Sequence, residues 1–131
     1  YHNRVSYKYR STIEDDCGKN ILWNCYIPSP SVLVTRRAIE STTLFDTNLP
    51  SCQDWDMWTR IILNGYKCKV VKTVLSLNHK HGSFSIGTSK NAKKGFFLYF
   101  RKHFMNAFKK NYKIPLYYIY LLIRIYSKKS K

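Results

Sequence analysis

No aspartate or glutamate follows residue 56 in this 131-residue chain. All seven acids lie in residues 1–56, beside six lysines and arginines, so that segment is nearly neutral; the other seventeen of the 23 basic residues fall in 57–131. So lopsided a half points to an anionic neighbour: nucleic acid, an anionic leaflet or a phosphorylated ligand. The plainer alternative is a solvated basic face. Glycine is scarce, and no GxGxxG or GxxxxGK[ST] turn is present. That excludes a complete doubly wound nucleotide-binding domain. The cysteines at 17, 25, 52 and 68 form no CxxC pair and no zinc-ligand spacing, which leaves reduced thiols as the expectation. A long apolar run is missing too. Ile114 to Ile125 is interrupted by Pro115 and Arg124, and falls short of the roughly 20 residues that cross a bilayer. No signal peptide, repeat or low-complexity tract is visible. The first residue is Tyr1 and not Met, so a cut from a longer polypeptide is expected.

What is present suffices for a core: 44% of the residues are hydrophobic and 16% aromatic, which excludes wholesale disorder. Glu14-Asp15-Asp16 reads as a surface turn. Ile27-Pro28-Ser29-Pro30 reads as a turn, since each proline disfavours a helical residue before it. Ser31 to Thr35 is short, apolar and β-branched, which predicts a buried strand. Arg36 to Thr42 suits a short helix. Asp54 to Asn64 is a stronger helix, with Trp55, Trp58 and Ile62 at i, i+3, i+7 and Gly65 as its stop. Lys67–Val71 and Thr73–Leu77 read as strand-like. A helix is predicted over Ser89–Lys110, striped by Phe97, Phe100, Phe104 and Phe108, and a last one from Pro115 to Tyr126. Strand, helix, strand and then helices predict an α/β fold.

The run Cys52-Gln53-Asp54-Trp55-Asp56-Met57-Trp58-Thr59-Arg60 holds the last two acids of the chain. Spacing alone favours structural roles. Ser51 and Asp54 are placed like a capping box, both aspartates would complement the helix dipole, the tryptophans would be core, and Arg60 would pair with Asp56 at i+4.

Five pieces in one order change that balance: PSVLVTRR at 30–37, LFD at 44–46, QDWDMWTRI at 53–61, NGYK at 64–67 and HGSFS at 81–85. Together they resemble the C-terminal, acceptor-side half of a family 2 glycosyltransferase with the type-A fold, similar to bacterial capsule and surface-polysaccharide transferases. The likeness is good over about 21–87. It implies an acceptor-side catalytic part at 1–88, without its nucleotide-binding N-terminal half, and a basic helical extension at 89–131. It implies Asp54 as the general base that deprotonates an acceptor hydroxyl, with Asp56 as the second choice. Gln53 stands where the family more often has Glu. Trp55 or Trp58 would shape the acceptor pocket. His81 would ligate the divalent metal or meet the donor diphosphate, with Ser83, Arg36 and Arg37 as further diphosphate contacts; His79 and Ser85 lie alongside. The implied cofactor is Mg²⁺ or Mn²⁺, held with the missing N-terminal half. The implied reaction is inverting transfer from a nucleotide-sugar donor to a glycan or lipid-linked acceptor, at the cytoplasmic face of a bacterial membrane. The phenylalanines and lysines of 89–131 suit an anionic membrane surface; nucleic acid is not expected. The alternative is a non-catalytic basic module that binds anionic membrane or nucleic acid.

Overall fold

The computed structural model describes residues 20–71, 73 and 90–127. Among these residues every regular element is helical, and no strand forms. A 3-10 turn at Ser29–Ser31 is followed by α1 (Arg36–Glu40), α2 (Gln53–Leu63), α3 (Lys90–Lys110) and α4 (Lys113–Ser127).

The expected α/β, type-A architecture is therefore corrected. The backbone on either side of 33–34 is extended, with φ −102° and ψ 125° at Val32 and φ −73° and ψ 146° at Thr35. Yet Leu33 is fully exposed. A strand is stable only when neighbours take its N–H and C=O groups, and no described strand lies beside this run. Residues 67–71 are likewise irregular, and 74–77 lie outside the described residues. The thiol expectation is corrected as well: Cys68 is disulfide-bonded, whereas Cys25 and Cys52 are free.

Local chemistry explains each helix. Thr35 caps α1 by accepting the Ala38 N–H at 3.3 Å, which offsets one orphan donor of the first turn. Gly65, at φ 89°, ends α2 in the left-handed region that glycine tolerates. Asn111 opens α4, its Oδ1 accepting the Lys113 N–H at 3.0 Å. The connection at 111–112 is so short that α4 folds back on α3.

The centre of the core is Trp55, on α2. Its indole stacks on Tyr99 of α3 with centroids 3.9 Å apart and meets Phe96 and Phe100 edge-on. Its Nε1–H donates to the Ile21 carbonyl at 2.6 Å. Thr59 donates to the Trp55 carbonyl at 2.8 Å and so accepts the Tyr99 hydroxyl, also at 2.8 Å. Tyr118 of α4 stacks on Phe100 at 4.1 Å and donates its hydroxyl to the Leu22 carbonyl. One aromatic stack thus clamps the 21–22 segment, α2, α3 and α4 together, and its polar atoms are satisfied within it. Buried aromatic pairs of this kind contribute about 0.5–1.5 kcal/mol each beyond area burial.

Trp55 to Thr59 are all buried, five consecutive residues. No single-faced helix allows that, so α2 is covered on opposite sides. The face of α3 that packs inward is Ala92, Tyr99, Phe100, His103 and Ala107, and of the expected phenylalanine stripe only Phe100 is buried. Phe97, Phe104 and Phe108 stay exposed, and the packed face includes a histidine and small alanines instead.

Close approach of α3 to the loop before α2 depends on Gly95. A β-carbon there would stand 1.9 Å from Ser51 Oγ and 2.7 Å from its carbonyl oxygen. Overpacking costs about 1–3 kcal/mol, while Gly→Ala returns about 1 kcal/mol of helix propensity. With backbone in the way the steric side wins. Gly95→Ala is expected to lower stability in urea denaturation by about 2 kcal/mol; an unchanged or raised midpoint would mean the two segments are not in register as described.

Candidate active site

The N-terminus of α2 opens on a cleft of about 490 Å³. Three anchors shape it. Ser51 is buried and donates to the Asn91 and Ala92 carbonyls at 3.1 and 3.4 Å, fixing the loop to the start of α3. Gln53 donates its side-chain amide to the Leu49 carbonyl at 2.7 Å. Cys52 adopts φ 65°, a left-handed conformation uncommon outside glycine, and turns the chain sharply into the helix. No side chain caps the helix at Cys52, so the expected Ser51–Asp54 capping box does not form.

Asp54 sits on the lip of this cleft, half-buried. Its Oδ2 accepts the Ser29 hydroxyl at 2.8 Å, and its Oδ1 accepts the Trp55 N–H at 2.8 Å. Two oxygens offer about four lone-pair sites, so acceptor capacity remains on both. Among the described lining residues Asp54 is the one acid. Phe45, Phe96 and an edge of Trp55 supply aromatic wall, and Cys25, Cys52 and Ala92 complete the apolar side. Burial, then the negative charge of Asp54, pushes the Cys25 thiol up to about 12; burial also raises Cys52. Both thiols stay protonated near neutral pH and serve as wall, not as nucleophile. The cleft thus joins one carboxylate to flat apolar faces. A carboxylate so placed has the lone pairs to accept a hydrogen bond from a group entering the cleft.

The other expected site residues scatter. Asp56, the second choice as base, is fully buried, and its carboxylate faces cations and not the cleft. Arg60 Nε stands 2.8 Å from Oδ2, His103 Nε2 is 2.8 Å from Oδ1, and Lys102 Nζ is 3.0 Å from the carboxylate. Burial would raise this carboxyl, but hydrogen bonds from His103 and Lys102 and the Arg60 charge outweigh it and hold it at about 2. Lys102 also reaches Asp46 at 2.6 Å, holding that carboxyl below its usual range. The i+4 pairing of Asp56 with Arg60 is as the spacing predicts. Trp58 is buried edge-on against Phe45, at 6.4 Å, and does not line the cleft. Arg36 and Arg37 are exposed on α1, away from the cleft lining, with Arg36 3.8 Å from Glu40. His81 and Ser83, like His79 and Ser85, lie outside the described residues.

Sequence reasoning passed over Ser29, Phe45 and Phe96 at the cleft. Ser29 had a signal: flanked by Pro28 and Pro30, it is held in a rigid turn. Phe45 and Phe96 had none, being ordinary aromatics brought in by the tertiary fold. Among the described residues no group of three His, Cys, Asp or Glu is placed to hold a metal ion. His81, the residue expected to meet Mg²⁺ or Mn²⁺, lies outside the described residues.

A comparison with known proteins adds one partial relative. The chain is 36% identical over 80 residues to "Putative colanic acid biosynthesis glycosyl transferase WcaA" of Escherichia coli strain K12. The match covers 58% of this chain and 29% of the relative. No protein-family model and no solved structure matches. Part of the chain is thus related to a glycosyl transferase, and the chain spans under a third of that protein's length.

Two outcomes follow from the charges. A folded-state carboxyl held below its unfolded value contributes stability that is full above about pH 5 and is lost as pH falls toward 2. For Asp56 this amounts to about 2 kcal/mol. In acid titrations of stability the wild-type chain should show that loss, and Asp56→Asn should lack it while being about 3–5 kcal/mol less stable at pH 7; a mutant matching wild type at pH 7 would exclude the buried cluster. At pH 8, iodoacetamide should modify Cys25 far more slowly than a free peptide cysteine, since roughly one thiol in ten thousand is ionised.

Proposed function

We propose that this chain is the acceptor-binding, base-carrying part of an inverting glycosyltransferase of the family 2 kind, acting in polysaccharide synthesis. The observation that carries the reading is the half-exposed Asp54 carboxylate on an aromatic-walled cleft; the partial likeness to a glycosyl transferase supports it. A pyranose ring has apolar C–H faces and polar edges. Phe45 and Phe96 offer the flat surfaces such a ring covers, and Asp54 offers the acceptor for a hydroxyl at its edge.

In this reading Asp54 takes the proton of the acceptor hydroxyl as its oxygen attacks the anomeric carbon of a nucleotide sugar. The C–O bond to the nucleoside diphosphate breaks on the opposite side, and the diphosphate leaves with the bonding pair. General bases placed within hydrogen-bond reach contribute about 10²–10⁴-fold. Ser29 orients the carboxylate from Oδ2, leaving its remaining lone pairs for substrate. No step is routed through a metal here, because the described donors do not form a cation site. The Mg²⁺ or Mn²⁺ expectation belongs with His81 and with a donor-binding part. The nucleotide-sugar donor and the lipid-linked acceptor are part of the proposal.

The test is transfer by the full-length gene product, with a panel of nucleotide sugars and lipid-linked acceptors. Asp54→Asn should lower kcat by about 10²–10⁴-fold with donor affinity unchanged, and Ser29→Ala should lower it by a smaller factor. Wild-type turnover in Asp54→Asn would remove this residue, and with it the proposed mechanism.

A further inference from the structure

The outer side of the α3–α4 hairpin carries two apolar rows that the other described residues leave exposed. On α3, Phe97, Phe104 and Phe108 lie at i, i+7 and i+11. On α4, Leu116, Ile119 and Ile123 lie at i, i+3 and i+7. All six side chains are 40–64% exposed. They point away from the packed faces, which on α3 are Tyr99, Phe100, His103 and Ala107, and on α4 Ile114 and Tyr118. The two rows adjoin. Lys93, one turn before Phe97, holds its ammonium 5.9 Å from the ring centroid of Tyr126, which is three residues beyond Ile123. That contact bridges the hairpin and sets the rows side by side.

We propose that this face docks on an anionic lipid surface, with the hairpin lying parallel to the membrane plane. Three observations choose lipid over other occupants. First, charge: Lys94 and Arg101 are exposed one turn before Phe97 and Phe104, and neither α3 nor α4 contains an acid. Basic residues flanking an apolar helical face match anionic headgroups above acyl chains. Second, a second copy fits poorly, because each chain carries a net charge of +16 and the face has no acid to meet a partner's lysines. Third, only one row offers π-faces: Leu116, Ile119 and Ile123 give a nucleotide base nothing to stack on, whereas both rows partition readily into a headgroup–acyl boundary. No helix among the described residues is long and apolar enough to cross a membrane, so the mode is lying on the surface, not spanning. This surface stands independently of the transferase reading.

The experiment is co-sedimentation of the 131-residue chain with phosphatidylcholine vesicles, with and without phosphatidylglycerol. Binding is expected to the anionic vesicles, weakening as salt is raised. Ile119→Asp with Ile123→Asp should reduce partitioning by at least about tenfold, and Lys94→Gln with Arg101→Gln by on the order of 25-fold. These side chains are exposed, so circular dichroism should show both variants folded; a variant that unfolds is replaced by Phe104→Ser at the same face. Four results would overturn the proposal. They are no pelleting with anionic vesicles, equal pelleting of all variants, a dimer by light scattering that Ile119→Asp dissociates, or preferential binding of single-stranded RNA that the same changes abolish.

Discussion

One buried carboxylate lets this basic chain fold. Asp56 takes an arginine from its own helix and a lysine and a histidine from α3, all within about 3 Å. Without it, Lys102 would bring positive charge against Arg60, and the buried His103 would lose the partner of its Nε2. A carboxylate so buried is stable only when paired and hydrogen-bonded. The cluster does not add much to net stability over an apolar core of the same shape. Its effect is on register: α3 can slide along α2 only by taking Lys102 and His103 from Asp56 and leaving it Arg60 alone. That register also sets Tyr99 over Trp55 and Gly95 against Ser51.

Two residues earlier on the same helix, Asp54 meets a different environment. Successive helical positions differ by about 100°, so the side chains of 54 and 56 point about 160° apart. One enters the interface with α3, and the other looks onto the cleft. The same residue type in the same turn is thereby divided between a buried ion cluster and the lip of the cleft. Asp54 keeps unused lone pairs because its partners are a single hydroxyl and a single amide.

Much of this organisation was legible in the chain. Helices α2, α3 and α4 follow from periodicity, a glycine stop and a proline in the first turn, all local signals. The i+4 pair of Asp56 and Arg60 also follows from spacing. That 31–35 would not join a sheet was not legible, since a β-branched run carries propensity but cannot announce whether a neighbour exists to bond it. The packed side of α3 was not legible, because four phenylalanines outweigh Tyr99, His103 and Ala107 on any hydrophobicity scale. Charge complementarity to Asp56 and stacking on Trp55, both long-range, decide the matter. For the same reason Phe45 and Phe96 carried no mark of the cleft: the fold, not a motif, recruits them.

Gly95 has an effect beyond the contact it permits. Its neighbours on α3, Ala92 and Phe96, form one jaw of the cleft, and Ser51, Cys52 and Gln53 form the other. The hydrogen atom in place of a side chain at 95 is therefore the shim that sets the aperture between them. Any larger group there would wedge the jaws apart, widening the gap between Phe96 and the start of α2. The width of the cleft is thus governed by a position that does not line it.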